Sequence, residues 1–104
     1  MGRIVIVGYR PKEGRERELE DLMKQHLPVL RKEGLATKRE SIIMRSQNST
    51  IVEVFEWKSQ KAIEEAHSNK AVQRMWKEYA DCCDYVPLTD IEEAGILFSE
   101  FEPL

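Results

Sequence analysis

The sequence predicts a single α+β domain over residues 1–104, with strands and helices in the order β-α-β-β-α-β. Three observations support this prediction: short runs rich in β-branched residues, longer stretches with an apolar residue every three or four positions, and glycine, proline or small polar residues between them. The right-handed crossover rule folds this order into a four-stranded antiparallel sheet with both helices on one face, the ferredoxin-like arrangement.

The first strand and the first helix have clear boundaries. Residues 3–9 form a short β-branched run that ends near Pro11, which is typical of a strand. From residue 13 to residue 33 the apolar side chains keep helical spacing, and Gly34 follows as a stop signal. Those apolar residues are Leu19, Leu22, Met23, Leu27 and Leu30. Pro28 lacks a backbone donor, so we expect a kink or a restart of the helix there.

The remaining elements follow the same logic. Residues 37–45 and 50–57 favour strands, and the small polar residues 46–49 between them suit a hairpin loop. Ser59 is a suitable N-cap for a second helical region, which Ser68 and Asn69 divide into two segments. Residues 85–93 are predicted to form the longest loop, and residues 96–101 the last strand.

The predicted strands are apolar on both faces. In the first strand Val5 and Val7 point to one face, whereas Ile4 and Ile6 point to the other. The strands at 51–57 and 96–101 repeat this pattern. Two helices cover only one face, so we expect a homodimer in which two sheet faces close over each other. A monomer with an exposed apolar face is the alternative.

Composition argues against several classes of protein. The chain has 16 basic and 19 acidic residues, so it lacks the excess of positive charge that is typical of nucleic-acid-binding proteins. No apolar run is long enough for a membrane span or a signal peptide, so we expect a cytoplasmic protein. Cys82 and Cys83 are adjacent and are expected to be free thiols, and no group of residues has the spacing of a metal site.

One segment carries a family resemblance. The run 54–59 (VFEWKS), followed by Ala62, the triplet 65–67 (EAH) and a helix with Trp76, resembles the antibiotic biosynthesis monooxygenase superfamily of dimeric α+β barrels. The resemblance implies a ferredoxin-like subunit, a homodimer and a small cleft between sheet and helices. Some members oxidise electron-rich phenols or quinols without metal or flavin, and others degrade haem.

The haem-degrading branch does not fit the residues of this chain. Its members place an Asn at the end of the first strand, a Trp early in the second helical region and a His further along. This chain has Tyr9, Ala66 and Trp76 at those places. The resemblance therefore implies chemistry without a haem or any other cofactor.

Two titratable residues are candidates for catalysis. Many oxygenase-like members carry a His close to the position of His67, whose imidazole would act as the base that deprotonates a phenolic substrate. The alternative is a His that only bonds a backbone carbonyl. Glu53 shares a strand face with apolar residues and is a weaker candidate base; the alternative is an ordinary ion pair with Arg39 or Arg45.

Tyr9 and Trp76 are candidate substrate-binding residues, because their rings would form a wall for a flat aromatic or apolar ligand. The alternative is that both rings belong to the core. His26, close to Pro28, receives no role from the sequence.

Two functions follow from these residues. The first is a cofactor-independent monooxygenase acting on a small aromatic or apolar substrate in the cleft. The second is a noncatalytic homodimeric module for small-molecule binding or stress response. An open cleft favours the enzyme, whereas a cleft filled by Trp76 favours the noncatalytic module.

Overall fold

The computed structural model describes all residues from 1 to 104 and confirms an α+β fold. The strands and helices are β1 (Arg3–Pro11), α1 (Glu16–Lys32), β2 (Ile42–Arg45), β3 (Ile51–Trp57), α2 (Gln60–Ala66), α3 (Lys70–Cys82), β4 (Cys83–Val86) and β5 (Glu102–Pro103). Two short 3₁₀ turns lie between β4 and β5.

The sheet has five antiparallel strands in the order β4-β1-β3-β2-β5, rather than the four expected. Its centre is the pair β1 and β3, which are in register from Arg3 opposite Trp57 to Tyr9 opposite Ile51. These two strands are the longest in the sheet and carry most of the side chains that face the helices.

The prediction of the last strand was wrong. The strand next to β1 is β4, which begins as soon as α3 ends and pairs from Gly8 opposite Val86 to Pro11 opposite Cys83. Residues 96–101 form no strand, and Leu97 within them is 91% exposed. The end of α3 brings the chain directly to the free edge of β1, so the nearby segment pairs there with little loop to close.

Two further elements, β2 and α1, also differ from the sequence prediction. β2 begins at Ile42 because the preceding segment bends away, with the Arg31 guanidinium donating to the carbonyl oxygens of Thr37 and Arg39. Of the kink or restart expected at Pro28, the restart does not occur: α1 is one helix, and Pro28 lies on its exposed side between buried Leu27 and Leu30. Packing on the buried side keeps the helix continuous despite one missing donor.

The break in the second helical region is confirmed. α2 ends at Ala66 and α3 begins at Lys70. The Ser59 side chain accepts a hydrogen bond from the Ala62 amide at 3.0 Å, and the Asn69 side chain accepts one from the Val72 amide at 3.1 Å. Both are N-caps that satisfy amides at the start of a helix.

The two faces of the sheet differ in how they are covered. The helices pack on the face that carries Val5, Val7 and Phe55, and the main hydrophobic core lies there. On the opposite face Ile4, Ile6 and Ile42 are 59%, 45% and 60% exposed. We call the surface formed by these three residues the open sheet face. No helix combines the length and the apolar character needed to cross a membrane.

The position of β4 can be tested at Gly8. A Cβ atom there would lie 2.8 Å from the carbonyl oxygen of Val86 and 3.1 Å from the Cδ1 of Ile91. We expect Gly8→Ala to lower the free energy of unfolding by about 1–3 kcal/mol, because the added methyl pushes β4 away from β1. Urea unfolding of the variant measures this change.

Gly95→Ala is the matched control, because a Cβ atom at Gly95 meets nothing within 4 Å. We expect it to leave stability unchanged within about 0.5 kcal/mol. Equal stability of the Gly8 and Gly95 variants would contradict the pairing of β1 with β4.

Candidate functional site

A cavity of about 370 Å³ lies between the sheet and the helices. Seven of its eight lining residues are hydrophobic. The lining residues are Val5, Val7, Tyr9, His26, Phe55, Trp57, Trp76 and Tyr85. Those on β1 and β3 stand two positions apart, because alternate strand residues point to the same face. The cavity is therefore largely a product of strand periodicity, and its wall is completed by His26 of α1, Trp76 of α3 and Tyr85 of β4.

A buried carboxylate lies beside this cavity. Glu53 of β3 is 0% exposed, and its Oε1 accepts a hydrogen bond from the Tyr9 hydroxyl at 2.9 Å. The Nδ1 atom of His26 lies 2.8 Å from the same oxygen. That contact is close but poorly aligned for hydrogen bonding, so His26 Nδ1 has no hydrogen-bond partner within the chain. The second carboxylate oxygen, Glu53 Oε2, has none either.

Register and helix rotation bring these three side chains together. Val7 stands opposite Glu53, which makes Tyr9 its diagonal neighbour on the same face of the sheet. His26 lies on the buried stripe of α1 with Leu22, Met23 and Leu30, and this stripe faces the sheet.

Tyr79 of α3 fixes the arrangement of the rings. Its hydroxyl donates to the carbonyl oxygen of Leu22 at 2.9 Å, one helical turn before His26. Its ring stacks on Tyr9 at 5.2 Å and meets the His26 ring edge-on at 5.5 Å. Tyr79 therefore links α3, α1 and β1 at the level of the carboxylate.

The phenols near Glu53 stay neutral. Burial, and after it the negative charge of Glu53, raise the pKa of Tyr9 well above its ordinary value of 10.0. The same two causes raise the pKa of Tyr79. Burial raises the pKa of Tyr85 to about 12. Because Tyr9 keeps its proton, it acts toward Glu53 as a hydrogen-bond donor.

The structure brings some of the predicted site residues together. Tyr9 and Trp76 both line the cavity, and Trp76 does not fill it. Glu53 does not line the cavity but lies behind Tyr9, from which it accepts a hydrogen bond. The expected pairing of Glu53 with Arg39 or Arg45 was wrong.

Both arginines have other partners nearer to solvent. Arg39 pairs with Glu56 at 3.1 Å, and Arg45 pairs with Glu20 at 3.0 Å. A guanidinium drawn into the core beside Glu53 would lose its hydration, so the arginines remain at the edge of the sheet.

His67 does not line the cavity. It caps the end of α2 in an exposed position, and its Nδ1 lies 2.9 Å from the carbonyl oxygen of Ile63, which is the alternative the sequence left open. The helix ends at this point, so the buried stripe does not continue through His67. Its ring touches the edge of Trp76 at a centroid distance of 5.3 Å and thus lies one side chain away from the cavity.

The histidine in the wall is His26, which the sequence analysis missed. A signal was present: His26 follows Leu22 by four positions and precedes Leu30 by four, which places it on the apolar stripe of α1. No group of three or more His, Cys, Asp or Glu side chains has the placement of a metal site.

Solved structures share this fold. The protein Rv0793 from Mycobacterium tuberculosis has a TM-score of 0.63 at 14% identity, covering 83% of this chain and 91% of its own. A protein named antibiotic biosynthesis monooxygenase has a TM-score of 0.63 at 15% identity, covering 83% of this chain and 92% of its own. A candidate antibiotic biosynthesis monooxygenase from Nitrosomonas europaea has a TM-score of 0.59 at 16% identity, covering 83% and 94%.

These matches confirm, at the level of the fold, the resemblance that the motif at 54–76 indicated. No protein-family model matches the chain, and no curated protein matches it in sequence. The chain therefore has the fold of the antibiotic biosynthesis monooxygenases.

The stability of the protein at alkaline pH tests the burial of the Cys83 thiol, which lies in β4 next to β1. Burial, followed by the neighbouring Cys82, raises the pKa of Cys83 from 9.0 to about 12. The thiol therefore stabilises the folded state fully below pH 9, and this contribution is lost as the pH rises toward about 12. We expect Cys83→Ala to flatten the decline in unfolding free energy above pH 9 by at most about 1.4 kcal/mol per pH unit. Urea unfolding between pH 7 and 11 measures both slopes, and identical slopes would contradict the assignment.

Proposed function

We propose that the cavity binds a small, flat, electron-rich aromatic molecule, which the protein oxidises without a cofactor. The observation that carries the proposal is an apolar cavity with one imidazole in its wall and a buried carboxylate behind that imidazole. A volume of about 370 Å³ falls within the range of small-molecule sites. The aromatic side chains of the wall suit stacking and edge contacts with a planar ring.

His26 is the base in this proposal. Its Nδ1 faces Glu53, so Nε2 is the nitrogen available to a ligand in the cavity. Nε2 takes the proton of a substrate hydroxyl, and the nearby Glu53 carboxylate stabilises the imidazolium that forms. Tyr9 holds Glu53 in place through its hydrogen bond.

Molecular oxygen is the co-reactant. The phenolate left after proton transfer donates electrons to oxygen. For a phenol with a free para position, one oxygen atom replaces that ring hydrogen as a carbonyl oxygen. The other oxygen atom leaves as water with the two hydrogens that the phenol loses, and the product is a quinone. The apolar wall strengthens the attraction between the phenolate and the imidazolium of His26, because few polar groups screen it.

One observation favours binding without turnover as the second candidate function. The contact between His26 Nδ1 and Glu53 Oε1 is poorly aligned, so the base is not fully oriented by its carboxylate. A noncatalytic module needs only the cavity and its rings.

Replacement of the two histidines separates these functions. We expect His26→Gln to reduce oxygen consumption with phenols that have a free para position, such as 1-naphthol, by about 10²–10⁴-fold, because the base is lost. His67→Gln is the matched control and should keep the activity, because His67 lies outside the cavity. An oxygen electrode measures the rate.

Binding is measured in parallel. Both tryptophans of the chain, Trp57 and Trp76, line the cavity, so quenching of their fluorescence reports a bound ligand directly. Binding without oxygen consumption in the unmodified protein would favour the noncatalytic module. Activity lost in His67→Gln but kept in His26→Gln would contradict the assignment of His26.

We also propose that two chains form a homodimer through the open sheet face. Ile6 and Ile42 both stand opposite Val54 in the register, so apolar side chains form a continuous row across three strands. A second copy would cover this row, which is otherwise exposed to water.

Light scattering tests the dimer. We expect a mass of twice the 12.2 kDa of one chain. Ile42→Lys should convert the dimer to a monomer, because it places a charge in the apolar row. Glu64 of α2 is exposed, and Glu64→Gln changes the net charge by the same amount, so this variant should leave the dimer intact. A wild-type mass of one chain would contradict the proposal.

A further inference from the structure

The formal charge next to the cavity is negative. Glu53 is fully buried, and none of the lining residues is a lysine or an arginine. The arginines of the neighbouring segment form ion pairs elsewhere, Arg45 with Glu20 and Arg39 with Glu56. Glu53 therefore has no permanent cation as a partner.

His26 does not reverse the sign of this charge. With a neutral imidazole, the pair of Glu53 and His26 carries one negative charge. With a protonated imidazole, the two charges lie 2.8 Å apart and their sum is zero. In neither state does the wall offer an anion a net positive charge.

The remaining polar and aromatic groups act in the same direction. The Tyr9 hydroxyl already donates to Glu53, so it does not serve as a free donor to an anion. The wall also contains the rings of Phe55, Trp57, Trp76 and Tyr85, whose faces carry negative electrostatic potential. Such faces attract cations and repel anions.

We propose that Glu53 makes the cavity selective for neutral and cationic aromatic ligands and against aromatic anions. The charge of Glu53 acts strongly because the carboxylate is buried, so neither solvent nor salt screens it. This inference rests on the aromatic ligand class of the proposed function and does not depend on oxidation.

Three probes of equal ring size test the selectivity at neutral pH: 2-naphthol, 2-naphthylmethylammonium and 2-naphthoate. Isothermal titration calorimetry with the unmodified protein gives the affinity of each. We expect 2-naphthoate to bind at least about tenfold more weakly than the other two, because like charges oppose each other across an apolar wall. This comparison needs no variant.

Glu53→Gln shows whether Glu53 is the cause. The amide still accepts the Tyr9 hydrogen bond but carries no charge, so we expect the affinity for 2-naphthoate to rise to within about threefold of that for 2-naphthol. Glu56→Gln is the matched control, because it removes one negative charge from the same strand on the opposite face and should preserve the discrimination.

The outcomes separate the two proposals. If 2-naphthol binds but 2-naphthoate binds equally well, or if folded Glu53→Gln keeps the full discrimination, the selectivity is overturned and the aromatic site stands. If none of the three probes binds, both proposals are overturned. If Glu53→Gln does not fold, the ranking in the unmodified protein decides alone.

Discussion

The structure depends on one constraint, a carboxylate with no access to solvent in the middle of an apolar core. A buried charge is costly unless a donor or an opposite charge lies close to it, and loss of one such partner typically costs about 3–5 kcal/mol. Two groups from other elements approach Glu53: the Tyr9 hydroxyl of β1 donates to Oε1, and His26 Nδ1 of α1 lies 2.8 Å from the same oxygen. The position of α1 on the sheet is therefore set by polar as well as apolar contacts.

Tyr79 connects a further helix, α3, to the residues around Glu53. Its hydrogen bond to the carbonyl of Leu22 and its stacking on Tyr9 tie α3 to the same point. The cavity opens beside this cluster, with Trp76 one turn earlier on α3 as part of its wall. Core and candidate site share residues, so a change at Glu53, His26 or Tyr79 alters packing as well as chemistry.

The local features of the chain were predictable from spacing alone. The first strand, the stripe of α1, the hairpin and the two N-caps at Ser59 and Asn69 depend on neighbours within a few positions. The last strand was not predictable, because the apolar run at 96–98 has stronger strand propensity than the segment Cys83–Val86. The short connection from α3 to the edge of β1 nevertheless favoured Cys83–Val86 as the strand beside β1, despite its weaker strand propensity.

The residues themselves determined the fold class, the aromatic character of the cleft at Tyr9 and Trp76, and the apolar second face of the sheet, because strand and helix periods are local properties of the sequence. Only the tertiary structure decided which histidine faces the cavity and which groups meet Glu53. His26 and His67 each lie near apolar residues in sequence, but the break after Ala66 turns His67 outward, while α1 continues and keeps His26 against the sheet. Contacts between distant elements depend on strand register and helix rotation, which local spacing does not encode.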